Sequence, residues 1–416
     1  MLSKKNSWIF YDFGNSAFAT TVIAGFFPVF FKQFWSAGVS AEVSTARLGI
    51  ALGIAGLIMA ILAPFWGRKS DLSNQRKSWL MSFAALGISA TAVLGFVPEG
   101  HWAMAIFFYC AAYIGFEASL IFYDSLLPLV TEAKNYNKVS SQGYAFGYLG
   151  GGLLFILNVL MVLNPSAFGL RGKVQAIQVS FFTVAFFWAV AAIVLYRGVL
   201  ESATESSVEK KKLLAIYKDV IQTFKNLMQQ KKIFYFLLAY WFYIDGVYTV
   251  FTMAVDYGLS IGLQDTDLMK ALIVTQLVGF PSALGFGYLS QKFSVYKLLL
   301  SCLFVYSLVL LFATQMQTGF DFMILAGLVG LVQGGIQALS RSYFTHLIPQ
   351  GKSAEYFGFF NVVGRSASVI GPFLVGAVTY FSGSARLGLS SIVLLFIVGA
   401  FFLLKGPGPS SDQKAY

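Results

Sequence analysis

Apolar residues run along this chain in long unbroken stretches separated by short polar loops, and that pattern decides the fold class. The stretches lie near 8–34, 46–66, 77–97, 102–128, 141–163, 176–197, 233–260, 268–290, 296–316, 320–347, 356–380 and 386–404, with glycine scattered through them. At helical rise, about 20 such residues cross a hydrocarbon layer of roughly 30 Å. A membrane barrel would instead alternate apolar and polar positions over segments of about ten residues. The pattern predicts an all-α integral membrane protein of about twelve transmembrane helices. The first stretch follows Lys4 and Lys5 and continues without a small-residue cleavage site, so it is expected to be a retained helix and not a cleaved signal peptide.

Composition agrees: 57% of the 416 residues are hydrophobic and 11% are charged, against roughly 25% charged in an ordinary soluble domain. The net charge of +11 does not imply nucleic acid, because the basic residues are dispersed at the ends of apolar stretches. With the N-terminus inside, twenty-one of the 29 lysines and arginines fall on the cytoplasmic side, which places both termini in the cytoplasm. Short outer loops and the lack of an N-x-[ST] sequon point to a bacterial inner membrane. Cys110 and Cys302 sit within apolar stretches, so no disulfide framework is expected. No Cys/His cluster suggests a metal.

One long polar segment, 198–232, divides the spans six and six, giving an N-terminal half 1–197, a linker and a C-terminal half 233–416. Within the linker, Leu213, Ile216, Tyr217, Val220, Ile221, Phe224, Leu227 and Met228 recur at helical spacing against Lys211, Lys218, Asp219 and Lys225. That is the pattern of an amphipathic helix on the inner membrane surface. The halves echo each other. Trp8 and Asp12 recur as Trp241 and Asp245, and the loop Gly67-Arg68-Lys69-Ser70-Asp71, continuing to Arg76-Lys77, recurs as Gly287-Tyr288-Leu289-Ser290-Gln291, continuing to Lys297. Parallel six-helix repeats build transporters that hold substrate near the midplane between halves.

The loop Gly67-x-x-x-Asp71 with Arg76-Lys77 resembles the signature between spans 2 and 3 of the major facilitator superfamily. Asn74 stands where glycine is usual, and asparagine tolerates left-handed backbone. Longer strings narrow the resemblance: Tyr11-Asp12-Phe13-Gly14-Asn15-Ser16-Ala17-Phe18-Ala19, Tyr243-Ile244-Asp245-Gly246-Val247, Gly334-Gly335-Ile336-Gln337-Ala338-Leu339-Ser340-Arg341-Ser342, Phe357-Gly358 and Gly371-Pro372. These are similar to the vacuole-effluxer branch, whose fungal members release amino acids from the vacuole. The resemblance implies the twelve-helix rocker fold, a monomer, and an amino acid or similar small metabolite as substrate. In span 4, Asp124 stands where that family has Asn.

Ionisable groups are costly inside a bilayer and usually face a cavity or a partner, which makes them the candidates for substrate binding or coupling. Asp245, Tyr248, Thr252 and Asp256 form one stripe; Gln333, Gln337 and Arg341 form another; Asn361, Arg365 and Ser368 form a third. Arg341 is close enough to the cytoplasmic end to snorkel; Arg365 is deeper. Asp245 and Arg365 are expected to hold the ammonium and carboxylate of a zwitterion. Span 4 carries Glu117 and Asp124 on one face, and Glu117, near mid-span, is the candidate for proton coupling. Asp12 is expected at a gate, and Asn15 among the polar groups of the N-terminal half. Gly67, Asp71, Arg76 and Lys77 are expected to form the conformational-switch loop. Gly49 and Gly53, like Gly143, Gly147 and Gly151, have the four-residue spacing of close helix packing.

No GxxxxGK[ST] string is present, so a gradient and not ATP is the expected drive, with no cofactor. No HExxH or paired Ser/His appears, so an intramembrane enzyme is not expected. Alternatives within transport are a drug or a siderophore-like metal chelate, which a cavity with three or more cations would favour.

Overall fold

The computed structural model describes residues 2–201, 213–260, 262–367 and 370–406. It is helical, with no strand among the described residues. Helix α1 is Lys4–Trp35, α2 Ala41–Ser73, α3 Arg76–Leu94, α4 Trp102–Ser125, α5 Tyr136–Leu163 and α6 Lys173–Gly198. The linker helix α7 is Leu213–Gln229, followed by α8 Lys231–Ser260, α9 Asp265–Leu289, α10 Val295–Ala313 and α11 Gly319–Leu347. The chain continues as α12 Ser353–Ser366, α13 Ile370–Ser382, α14 Ala385–Ser390 and α15 Val393–Lys405. Eleven described helical stretches are long and apolar enough to cross a membrane.

Over the span expected at 356–380, the described residues form α12 and α13. Helix α1 departs from regularity, with π-helical turns at Phe18–Phe26 and Phe31–Trp35 on either side of Pro28.

Two compact units are present. The first runs through Val130, resumes at Phe146, continues past α6, and takes in Ser353–Gly358. The second holds Thr131–Ala145, α7 through Lys352, and the described chain from Phe359 onward. The first turns of α5 thus belong with the C-terminal spans, and the first turns of α12 with the N-terminal ones.

Within the first unit, aromatic rings and glycines set the packing. Phe27 stacks on Tyr109 at 3.6 Å between centroids, and Trp35 stacks on Phe181. A side chain at Gly147 would meet the Ser16 hydroxyl at 2.6 Å, and one at Gly151 the Thr20 hydroxyl at 2.9 Å. Only a hydrogen there lets α5 lie this close to α1. The same spacing on α2 has another outcome: among the described residues a side chain at Gly49 or Gly53 would meet nothing within 4 Å, so the close packing expected of them is not present there. Their neighbours Ile50, Ile54, Leu57 and Ile61 are more than half exposed.

Candidate functional site

In the first unit, the loop between α2 and α3 is wrapped around the start of α12. Asn74 adopts φ 50° and ψ 39°, the left-handed turn that ends α2 and returns the chain into α3. That turn brings Arg76 back to Asp71, Nε donating to Oδ1 at 2.7 Å. The Asp71 carboxylate also accepts the backbone N–H of Ala354 at 3.1 Å and of Glu355 at 2.8 Å. The first N–H groups of a helix have no partner within it. Asp71 therefore caps α12 from a distant part of the chain, with the helix dipole favouring its charge. Gly67 lies against the Ala354 carbonyl, where a side chain would not fit, and Gly358 lies against Pro64 in the same way. Arg68 reaches buried Glu355 at 3.8 Å.

The same loop is tied to the end of α6. Lys77 donates its backbone N–H to Glu201 Oε2 at 2.9 Å, and its ammonium to the carbonyls of Tyr196 and Val199. Burial raises the Glu201 carboxyl above its ordinary range, against the lowering by the Lys77 N–H bond and the Arg76 charge. A carboxyl raised on folding stabilises the fold when protonated; that contribution is present below the ordinary glutamate value and is lost as pH rises through the raised one. Glu201→Gln, neutral throughout, is expected to remove this pH dependence. Thermal midpoints of the two proteins between about pH 4 and 7 check it, and curves that stay parallel would refute it.

Deeper in this unit, α1, α4 and α6 share a buried hydrogen-bonded cluster. Trp8 donates Nε1–H to the Tyr123 carbonyl at 2.9 Å and stacks on its ring at 4.3 Å. The Tyr123 hydroxyl donates to Asp12 Oδ2 at 3.0 Å. Beside them the Tyr11 hydroxyl donates to Ser119 and accepts from Trp188 Nε1 at 3.2 Å. Asn15, Glu117 and Asp124 are all buried. Asp12, expected at a gate, is thus placed with its carboxylate on Tyr123.

The second unit repeats this logic with different chemistry. Gly287, the echo of Gly67, lies against Ser141 in the first turns of α5, as Gly67 lies against α12. Gln291 stands where Asp71 would, and the grip comes instead from α11: Arg341 donates Nε–H to the Ser140 hydroxyl and Nη2–H to the Ser140 carbonyl, both at 2.9 Å. Its guanidinium lies 4.3 Å from the Tyr144 ring centroid. Arg341 is 2% exposed, so it holds α5 and does not snorkel.

Asp245 is fully buried and faces the start of α13. Its two carboxylate oxygens each accept the Gly371 N–H at 3.0 Å, and Oδ1 accepts the Thr249 hydroxyl at 3.3 Å. Two residues earlier, Tyr243 bonds Ser340 of α11 at 2.7 Å. Gln333 is buried, Gln337 and Asn361 half-buried. Asp256 and Arg365 lie in α8 and α12, their side chains outside the described set, as is Ser368. Tyr123, Glu201, Thr249 and Ser140 were not legible as partners, since nothing in local spacing tells which distant group a side chain meets.

A family model described as vacuole effluxer Atg22 like matches residues 43–407. The chain is 37% identical, over 99% of its length and 96% of the relative's, to a Bacillus subtilis (strain 168) protein described as an uncharacterized MFS-type transporter, YxiO. It is 22% identical to autophagy-related protein 22 of Coccidioides immitis (strain RS), covering 87% of this chain and 72% of that protein. Among solved structures, the MFS proton:xylose symporter XylE superposes with a TM-score of 0.71 at 13% identity, covering 97% and 94% of the two chains. The human organic anion transporter MFSD10 gives 0.72 at 10%, covering 96% and 97%. With its helices, repeated loops and these likenesses taken together, the chain belongs to the vacuole effluxer Atg22-like family of major facilitator transporters.

Proposed function

We propose that this transporter moves a small zwitterion, an amino acid first among candidates, by alternating access driven by a proton gradient across a bacterial inner membrane. The observation that carries the reading is the family match, joined to the paired grips of Asp71 on α12 and Arg341 on α5. Each holds the first turns of a helix from the other half of the sequence, so each is a contact that a rocking motion has to break and remake.

Asp245 and Arg365 are the proposed ligands for ammonium and carboxylate. Asp245 accepts N–H bonds from Gly371, and an ammonium supplies the same donors with a full charge. Substrate would then displace the Gly371 N–H and free the start of α13, linking binding to movement of that helix. Glu117 is the proposed proton-coupling group. Uptake of a labelled amino-acid panel into proteoliposomes with an imposed pH gradient tests the proposal. The wild type is expected to accumulate at least one amino acid, Glu117→Gln to exchange without accumulating, and Asp245→Asn to lose affinity. Failure of the wild type to bind or move any amino acid rejects the substrate class.

A further inference from the structure

Helix α7 presents four different faces, and their order around the helix specifies where it lies. With successive residues turned by about 100°, Ile216, Thr223 and Leu227 fall in one sector and are buried against the unit's own packing. Rotated from them by about 110° is a second apolar stripe of Tyr217, Ile221, Phe224 and Met228. These four are 37–55% exposed, although Phe224 touches Phe359 on one side. Lys218 and Lys225 project opposite the buried sector and are exposed. Asp219 and Asn226 project opposite the exposed apolar stripe.

A helix hung beneath the protein in water would have no reason to keep large apolar side chains on a flank away from its packing face. Covalent geometry adds a second constraint. The helix ends at Gln229, and the membrane span α8 begins at Lys231, so with consecutive Cα atoms about 3.8 Å apart the end of α7 is at the level where α8 enters the bilayer. At that level the faces match their surroundings one by one: protein on one side, acyl chains against the apolar stripe, lipid headgroups beside the lysines, and water on the Asp219 flank. Lys231 and Lys232 continue the basic charge at the same depth.

We propose that α7 is an interfacial helix that docks on anionic lipid, its Ile221 stripe in the headgroup–acyl boundary and Lys218 and Lys225 on lipid phosphates. The partner is the leaflet on the linker's own side of the membrane. It follows from the membrane-spanning fold and does not depend on which substrate is carried. A lysine held near an anionic surface contributes about fivefold to partition, so losing both weakens docking by about 25-fold.

The test uses the full chain, with Cys110 and Cys302 replaced by alanine, in nanodiscs of phosphatidylcholine with or without phosphatidylglycerol. A fluorophore on Ile221→Cys is expected to be quenched by brominated lipid, and more strongly with phosphatidylglycerol, whereas one on Asn226→Cys is not quenched. Lys218→Gln with Lys225→Gln is expected to abolish the phosphatidylglycerol dependence while leaving the protein folded, as the unchanged far-UV spectrum would report. Equal quenching at both positions, or quenching at 221 that ignores phosphatidylglycerol and the lysines, overturns the proposal. Crosslinking between copies through Ile221→Cys in place of quenching overturns it as well and identifies a second copy as the occupant.

Discussion

Replacing Asp71 with asparagine is expected to release the first turn of α12 and speed labelling of a cysteine at Ser353 by tenfold or more. Three hydrogen bonds converge on this carboxylate, one from Arg76 and two from the backbone of Ala354 and Glu355. Hydrogen bonds to a charged partner contribute about 1.5 to 3 kcal/mol each. Asparagine keeps one acceptor oxygen and loses the charge that meets the helix dipole, so a net loss of about 2 kcal/mol is a conservative figure. That corresponds to about 30-fold in the balance between engaged and released states. Ser353 is buried while the cap is in place, which is why its accessibility reports the release. Transport should slow, because the gripped state is depleted, while substrate affinity changes little, because no part of this loop is proposed to touch substrate. Equal labelling rates in the two proteins would sink the role assigned to Asp71.

The contrast between Asp71 and Asp245 shows which parts of this molecule were legible in advance. Hydropathy located the spans because water and lipid impose it residue by residue, and the Gly67–Lys77 loop was legible because its turn is local: Asn74 supplies the left-handed residue and Arg76 returns to Asp71. Helical spacing also put Asp245 on a polar stripe of α8. Spacing says which residues share a face but not what the face meets, and Asp245 meets a backbone N–H 126 residues away. The glycines make the same point. Gly147 and Gly151 pack against α1, while a side chain at Gly49 or Gly53, with identical spacing, would meet none of the described residues within 4 Å. Nor could sequence pick Trp8 and Tyr123 out as a stacked pair in a chain with 43 phenylalanines, 21 tyrosines and 7 tryptophans, since any aromatic in an apolar span is compatible with many neighbours. Gly371-Pro372 was legible as one of the family's strings, but not that its glycine N–H would meet a carboxylate on α8.

The start of α13 gives the second large effect: Gly371→Ala is expected to destabilise the protein by about 2 to 4 kcal/mol. A methyl group there would fall on the Thr249 hydroxyl and stand 2.8 Å from Asp245 Oδ1. Thr249 is 1% exposed and Asp245 fully buried, so neither side chain has open space to move into. Overpacking of a close-packed interior costs about 1 to 3 kcal/mol. Pushing the carboxylate off the Gly371 N–H adds the cost of a buried donor and acceptor left poorly paired, about 1 to 3 kcal/mol more, part of which relaxation of the α13 start recovers. The mechanism predicts its own rescue. Thr249→Ala removes the atom that the new methyl strikes and sacrifices only one 3.3 Å hydrogen bond to Asp245. The double variant should therefore be more stable than Gly371→Ala alone, and its loss clearly smaller than the sum of the two single losses, as expected of groups in direct contact. Thermal unfolding in detergent of the wild type, both single variants and the double variant decides it. If Gly371→Ala unfolds with the wild type, or Thr249→Ala gives no relief, the close approach of α8 and α13 around Asp245 is not what holds the start of α13.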